Sequence, residues 1–205
     1  VYKRQLQRWY DMDLYHEMLK KNDGKPRFSL HDGPPFSNGD IHMGHALNKA
    51  LKDFIVRSYA MRGYYTPYIP GWDNHGMPIE SAIIKQNKLN RKQMSVAAFR
   101  SACHDFAEKY IGIQMEGFKR IGVLGDWDHP YLTMDPKFEA EEVKVFGKMY
   151  EKGYIYKGTY KGKYCTPCES FWTESQLVDG KCPDCGREVK EANEEAYFLL
   201  SLIHI

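Results

Sequence analysis

The sequence predicts an α/β domain built on a parallel sheet, followed by a small cysteine-rich unit. Three observations carry that expectation. Between residues 27 and 72 an extended segment, a proline–glycine loop, a long amphipathic stretch and a second extended segment follow in order. Strand, loop, helix, strand is a βαβ unit, which predicts parallel strands and a right-handed crossover. Two further helical stretches, 95–120 and 136–152, supply material to cover the sheet. From Gly158 onward short β-prone pieces alternate with glycine, and four of the five cysteines fall in one 21-residue window.

Residues 6–22 read as one helix, with Leu6, Trp9, Tyr10, Leu14 and Met18 near a helical period, ended by Gly24 and Pro26. "RFSLHD" is a short strand, and "GPPFSNGD" is a loop because Pro34, Pro35 and Gly39 forbid regular structure. From Met43 to Met61 the apolar residues Met43, Ala46, Leu47, Ala50, Leu51, Phe54, Ile55 and Tyr59 recur at three- and four-residue steps. That spacing predicts a long helix with these residues toward the core, closed by Gly63. "YYTPYIPGW" is extended and "PIESAIIKQN" starts another helix. Residues 95–120 form a helix with Phe99, Phe106, Tyr110 and Phe118 in the core, and "GVLGDWDHPYLTMD" is a loop. Asp135-Pro136 opens a helix to about Lys152, carrying Phe138, Val143, Val145, Phe146 and Met149. The division expected is an N-terminal helical extension (1–22), a main domain (23–159) and a cysteine unit (160–198).

A net charge of +2 neither demands nor excludes a nucleic-acid partner. No apolar run approaches the roughly 18 residues that would span a bilayer, and the first residues lack the pattern of a signal peptide. The chain is therefore expected to be soluble and cytoplasmic. It starts on Val1 and stops inside the apolar run "YFLLSLIHI", which reads as a fragment. No internal repeat or low-complexity tract is present, and nothing indicates an oligomeric state.

The chemistry concentrates in "HDGPPFSNGDIHMGHALNK". A helix N-terminus presents unpaired N–H groups and partial positive charge, which suits a phosphate. His42 and His45 are neighbours on the first turn, able to donate to phosphate oxygens, and Gly44 would let an adenine or ribose lie against the backbone. The plain alternative is that both histidines merely cap the helix or sit in solvent. Asp73, in "GWDNHG", could likewise simply cap the turn that follows it.

"HMGH" is similar to the HIGH signature of class I aminoacyl-tRNA synthetases. With "GYYTPYIPGWDNHGMPIE" it resembles the isoleucyl type over about residues 9–158, with the valyl and leucyl types as close relatives. The resemblance implies the N-terminal half of a Rossmann-type catalytic domain with a small zinc-knuckle insertion. That domain activates an amino acid with ATP and Mg²⁺ and then esterifies tRNA. It implies that His42, Gly44, His45 and Asn48 bind ATP, the two histidines stabilising charge in the adenylation transition state. Gly33, Pro34, Asp73 and His75 would form the amino-acid site, Asp73 pairing with the α-ammonium. Asn74 and Met77 stand where the isoleucyl pattern has Cys and Leu, a change of pocket shape.

Cys165-x2-Cys168, thirteen residues, then Cys182-x2-Cys185 is the spacing of a four-thiolate Zn²⁺ site, structural because no position stays open. Gly180 and Gly186 supply its turns, and Cys103 is a small core residue. This segment resembles the connective insertion of methionyl-tRNA synthetase rather than the isoleucyl type. The change after "MYEKGYIYKG", a phrase both types share, reads as a junction in a chimera, or as a natural synthetase with a methionyl-like knuckle. Isoleucine is thus the expected substrate, methionine the alternative, and a non-catalytic tRNA- or zinc-binding module a third reading. The lysine-rich KMSKS loop that completes the triphosphate site in the family is missing from these residues.

Overall fold

The structure, a computed structural model, describes residues 2–200. Helix α1 (Tyr2–Asp11) and helix α2 (Leu14–Lys21) replace the single helix expected over 6–22. Asp13 sits in the left-handed region at φ 48°, which an aspartate tolerates better than most residues and which interrupts the helical ladder. Leu6 and Tyr15 are buried, whereas Tyr10 is exposed.

Helix α3 (Met43–Met61) has the expected bounds, and Gly63 follows it at φ 88°. Its orientation is the main correction to the sequence reading. The buried residues are Lys49, Asp53, Val56 and Ala60, while Met43, Leu47, Leu51, Phe54 and Ile55 are exposed. Asp53 explains part of this. Its Oδ2 accepts from Arg57 Nε at 2.6 Å and its Oδ1 from the Leu124 N–H at 3.0 Å, so the carboxylate is satisfied where it is buried.

"RFSLHD" forms no regular strand. It contributes one parallel bridge, Arg27 with Tyr65, and Phe36 bridges Asp73 in the same sense. Strand β1 (Gly71–Trp72) then leads into helix α4 (Met77–Asn87) and helix α5 (Val96–Arg120), which Ser95 caps by accepting from the Ala98 N–H. The loop expected over 122–135 contains a strand the sequence reading missed, β2 (Tyr131–Leu132), paired parallel with β1. The expected parallel arrangement is present, but it is made of very short ladders. Helix α6 (Pro136–Glu151) forms where expected but has no buried residue, and Val143, Val145 and Phe146 on it are exposed.

Two apolar clusters hold this region. One joins Val56, Tyr68, Trp72, Phe118 and Trp127, and the other joins Ile79, Ile83, Phe99, Phe106 and Tyr110. Phe99, Phe106, Tyr110 and Phe118 are all buried as expected, and Cys103 packs against the second cluster. Gln114, fully buried, ties the proline–glycine loop to α5. It donates to the carbonyls of Phe36 and Gly39 at 3.0 and 2.7 Å and accepts from Trp72 Nε1 at 2.9 Å.

The chain separates into two compact units between Glu139 and Ala140, inside α6 and ahead of the composition change near residue 160. The second unit carries an antiparallel sheet of strands β3 (Ile155–Cys165), β4 (Ser170–Trp172) and β5 (Lys190–Leu199), in the order β4-β3-β5. Strands β3 and β5, of 11 and 10 residues, are longer than the short pieces expected. The glycine, lysine and tyrosine of β3 and the charged residues of β5 suit a sheet exposed on both faces, with Ile155, Cys165, Ser170 and Cys182 the only buried residues described from Ala140 onward.

Candidate functional site

His42 is the N-cap of α3 and His45 its third residue, and the two form a reciprocal capping box. His42 Nδ1 accepts from the N–H groups of Gly44 and His45 at 3.1 and 3.4 Å, and His45 Nδ1 accepts from the His42 N–H at 3.4 Å. The rings stack with centroids 3.8 Å apart. A nitrogen that accepts carries no proton, so each neutral ring keeps its proton on Nε2, the atom turned away from the backbone. Capping and donation outward are therefore two ends of one arrangement. Burial, the neighbouring His42 and the Lys49 ammonium together hold the His45 pKa below the ordinary histidine value, which keeps Nδ1 free to accept.

The cap changes the phosphate argument made from sequence. Two backbone N–H groups expected to meet a ligand are already engaged, which leaves the Nε2–H groups as the outward donors. Gly44 also has a different first requirement. A Cβ there would come within 2.9 Å of the His42 ring, so the glycine makes room for the cap. Asn48 lies exposed one turn beyond His45.

The Gly33–Pro35 turn and Asp73 come together through the backbone. The Asp73 N–H donates to the Pro35 carbonyl at 2.9 Å, and the Ser37 N–H to the Asp73 carbonyl at 3.2 Å. The Asp73 side chain makes one long contact, accepting from the His75 N–H at 3.4 Å, and is half-buried. His75 turns away from that turn, its Nε2 3.3 Å from Glu139. With Asn74 it lines a cleft of about 510 Å³ between α4 and α5 that includes Phe99 and Cys103. Asn74 is buried, its amide donating to Ser37 Oγ at 2.8 Å while its Oδ1 has no partner among the described residues.

Beneath the loop lies a cluster the sequence reading missed. Asp32 is fully buried, and its carboxylate pairs with Lys49 through one oxygen and Lys52 through the other. Lys49 also donates to the Tyr68 hydroxyl at 3.2 Å, and the Tyr131 hydroxyl donates to the Asp32 carbonyl at 3.0 Å. Burial lowers the Lys49 pKa against the pull of Asp32. Burial, with the negative charge of Asp32 beside it, raises that of Tyr68 and pushes Tyr131 up to about 12. The signal available in the sequence was positional: Lys49 and Lys52 follow His45 by four and seven residues, on one helical face.

In the second unit, β3 ends on Cys165, and the Cys182 carbonyl accepts from the Gly186 N–H at 2.8 Å to close the second knuckle. Asp179 and Gly180 both have positive φ, as a tight two-residue hairpin turn requires. The four cysteines are unbridged, and their sulfur atoms all lie within 4.8 Å of one another. Cys165 and Cys185 are 3.6 Å apart and Cys168 and Cys182 3.9 Å. A tetrahedron of zinc–sulfur bonds of about 2.3 Å has edges of about 3.8 Å, so this donor set fits Zn²⁺. A backbone hydrogen bond at Arg187 holds Cys185 down at about 7, whereas burial raises Cys165 and Cys168.

The geometry defines a mixed α/β domain with short parallel strands joined through helices, a histidine-capped helix at its site and a cysteine hairpin in the second unit. The sequence pattern of the family "tRNA synthetases class I (I, L, M and V)" matches residues 4–179, and the chain belongs to that family. An isoleucine–tRNA ligase of Natranaerobius thermophilus is 53% identical over 194 residues, 93% of this chain and 21% of the relative. One from Bacillus licheniformis is 55% identical over 170 residues, 83% of this chain and 18% of the relative. The chain thus spans about a fifth of the length of these curated relatives. Among solved structures it is similar to a leucyl enzyme, LeuRS of Agrobacterium radiobacter K84, in a ternary complex with tRNA and LeuAMS. That match has a TM-score of 0.72 and 21% identity and covers 97% of this chain and 23% of the other. It is also similar to Mycobacterium tuberculosis methionyl-tRNA synthetase bound by methionyl-adenylate. That match has a TM-score of 0.63 and 23% identity and covers 85% and 32% of the two chains. At these identities the two structures establish the shared fold. The isoleucyl and methionyl resemblances fall within one family. The family match also runs past residue 158, across Cys165 and Cys168. No helix among the described residues is long and apolar enough to cross a membrane.

Proposed function

We propose that this chain is the N-terminal part of the catalytic domain of an isoleucine–tRNA ligase. The observation that carries the reading is the stacked histidine pair whose Nδ1 atoms cap α3, which leaves Nε2–H as the donor of each neutral ring. ATP, with Mg²⁺, would place its triphosphate against these two donors and the N-terminal end of the helix dipole, near Asn48. Gly33, Pro34 and Asp73 would hold the amino acid, the Asp73 carboxylate meeting the α-ammonium, whereas His75 is paired with Glu139 and lines the cleft between α4 and α5. The amino acid's carboxylate oxygen would attack the α-phosphorus, giving aminoacyl-adenylate and releasing pyrophosphate. The histidines stabilise the charge that builds on the phosphate oxygens. The adenylate would then acylate tRNA. The 53% and 55% identities to isoleucine–tRNA ligases support isoleucine. The cysteine hairpin gives the methionyl alternative its support, and its four thiolates would hold a structural Zn²⁺. The division at 1–22, 23–159 and 160–198 is kept as a functional one, with a cytoplasmic setting for the whole.

A match covering 93% of 205 residues cannot stop at residue 158, which favours a natural continuation over a junction. A genomic read across residues 140–180 decides that point. For the site itself, calorimetry with ATP on the 205-residue chain is expected to give weak binding that His45→Ala weakens about tenfold, the scale of one charge-assisted hydrogen bond. Unchanged affinity in the variant would refute the assignment of the histidines. Pyrophosphate exchange by these residues alone is expected to be undetectable with either isoleucine or methionine.

A further inference from the structure

Asp32 stands directly before Gly33 and Pro34, and Lys49 and Lys52 stand on the helix that starts at His42. The side chains of Asp32 and Lys49 are 0% and 3% exposed and that of Lys52 17%, so one carboxylate bridges loop and helix largely out of water. Each oxygen takes a different lysine, and Lys52 Nζ reaches the Gly33 carbonyl as well, at 3.4 Å. Burying such charges is costly, and apolar side chains of similar volume would hold the same two elements as firmly. What the ion cluster adds is direction. Two charge-assisted bonds from one carboxylate fix both the distance and the rotation of the turn relative to α3.

We infer that Lys49, Asp32 and Lys52 form a positioning clamp that locks the Gly33–Pro34 turn to the histidine-bearing helix. The amino-acid side and the nucleotide side of the site then move as one body. The inference rests on the functional reading above. Its consequence is thermodynamic. A ligand that spans both sides gains affinity from the fixed geometry, whereas a ligand that touches one side gains nothing from it. Lys52 is the member to vary, because its removal leaves the deeper Lys49–Asp32 pair in place.

The test measures two affinities on the 205-residue chain by calorimetry, one for ATP and one for a non-hydrolysable isoleucyl-adenylate analogue. The wild type is expected to bind the analogue more tightly than ATP. Lys52→Met is expected to weaken the analogue about tenfold while ATP stays within about twofold, and Lys52→Arg to restore most of the loss. Circular dichroism checks that the variants fold. Should Lys52→Met lose its fold, Lys52→Gln, which keeps a neutral donor, is read in the same way. If both affinities fall equally, or neither moves, the clamp is structural only and the inference is wrong. If the wild type binds neither ligand, the functional reading fails first and takes the inference with it.

Discussion

Replacing Cys182 with serine is expected to abolish tight zinc binding by the chain and to unfold the β3–β5 sheet. From Ala140 onward only four described residues are buried, and two of them are Cys165 and Cys182. A sheet exposed on both faces has too little apolar contact to offset the entropy of ordering its backbone, about 1–2 kcal/mol per residue. Zinc–thiolate binding, about 10–16 kcal/mol in small knuckle peptides at neutral pH, is the contribution whose loss is expected to tip the segment toward unfolding. The four sulfur atoms already stand at the spacing of a zinc tetrahedron, so little rearrangement is needed. A peptide from Tyr154 to Leu200 takes in both ends of the hairpin, which the Leu200 N–H closes onto the Tyr154 carbonyl at 2.9 Å. It is expected to bind one Zn²⁺ by itself and to lose its β-sheet signal on chelation. Millimolar affinity, or equal binding by the serine variant, would exclude the four-thiolate site.

Asp32→Asn is expected to cost about 3–5 kcal/mol of stability, the penalty for leaving a buried charge without its partner. The amide would face two ammonium groups with no negative charge between them, at a site where Asp32 and Lys49 are almost wholly buried. Urea unfolding at constant zinc measures the loss. Asp32→Leu combined with Lys49→Met is expected to recover much of it, since an apolar pair avoids the desolvation that the ions must offset. A loss below about 1 kcal/mol for Asp32→Asn would mean that the pair is solvated and contributes no more than a surface ion pair.

These two sites differ in how far the sequence disclosed them. Four cysteines in two knuckles are a local pattern, and their geometry follows from their spacing. The histidine pair was also legible, three residues apart on a first helical turn, although its capping role shows only once the side chains are placed. The buried face of α3 was not legible. Apolar periodicity pointed to Met43, Leu47, Leu51 and Phe54, yet Lys49 and Asp53 lie inside with Val56 and Ala60. A charge can be buried only with a partner, and although Arg57 stands four residues from Asp53, the groups that fix these two side chains inside, Asp32 and the Leu124 N–H, are distant in sequence. The apolar stripe on the opposite face remains exposed in a chain that spans about a fifth of its relatives. Strand β2 escaped notice for a related reason. Two residues in a turn-rich segment carry no periodicity, and only the Pro70 and Trp72 carbonyls, which accept from Tyr131 and Thr133, define them as a strand.

His42 and His45 cap α3 through Nδ1 and are expected to offer Nε2–H to a triphosphate. Nitrogen-15 NMR of the histidine rings in the 205-residue chain, with and without ATP, tests this role most directly. Both rings are expected in the Nε2–H form near neutral pH, with ATP shifting the Nε2 resonances far more than those of Nδ1. A proton on Nδ1 in the free chain, or Nε2 resonances unmoved at saturating ATP, would contradict this role.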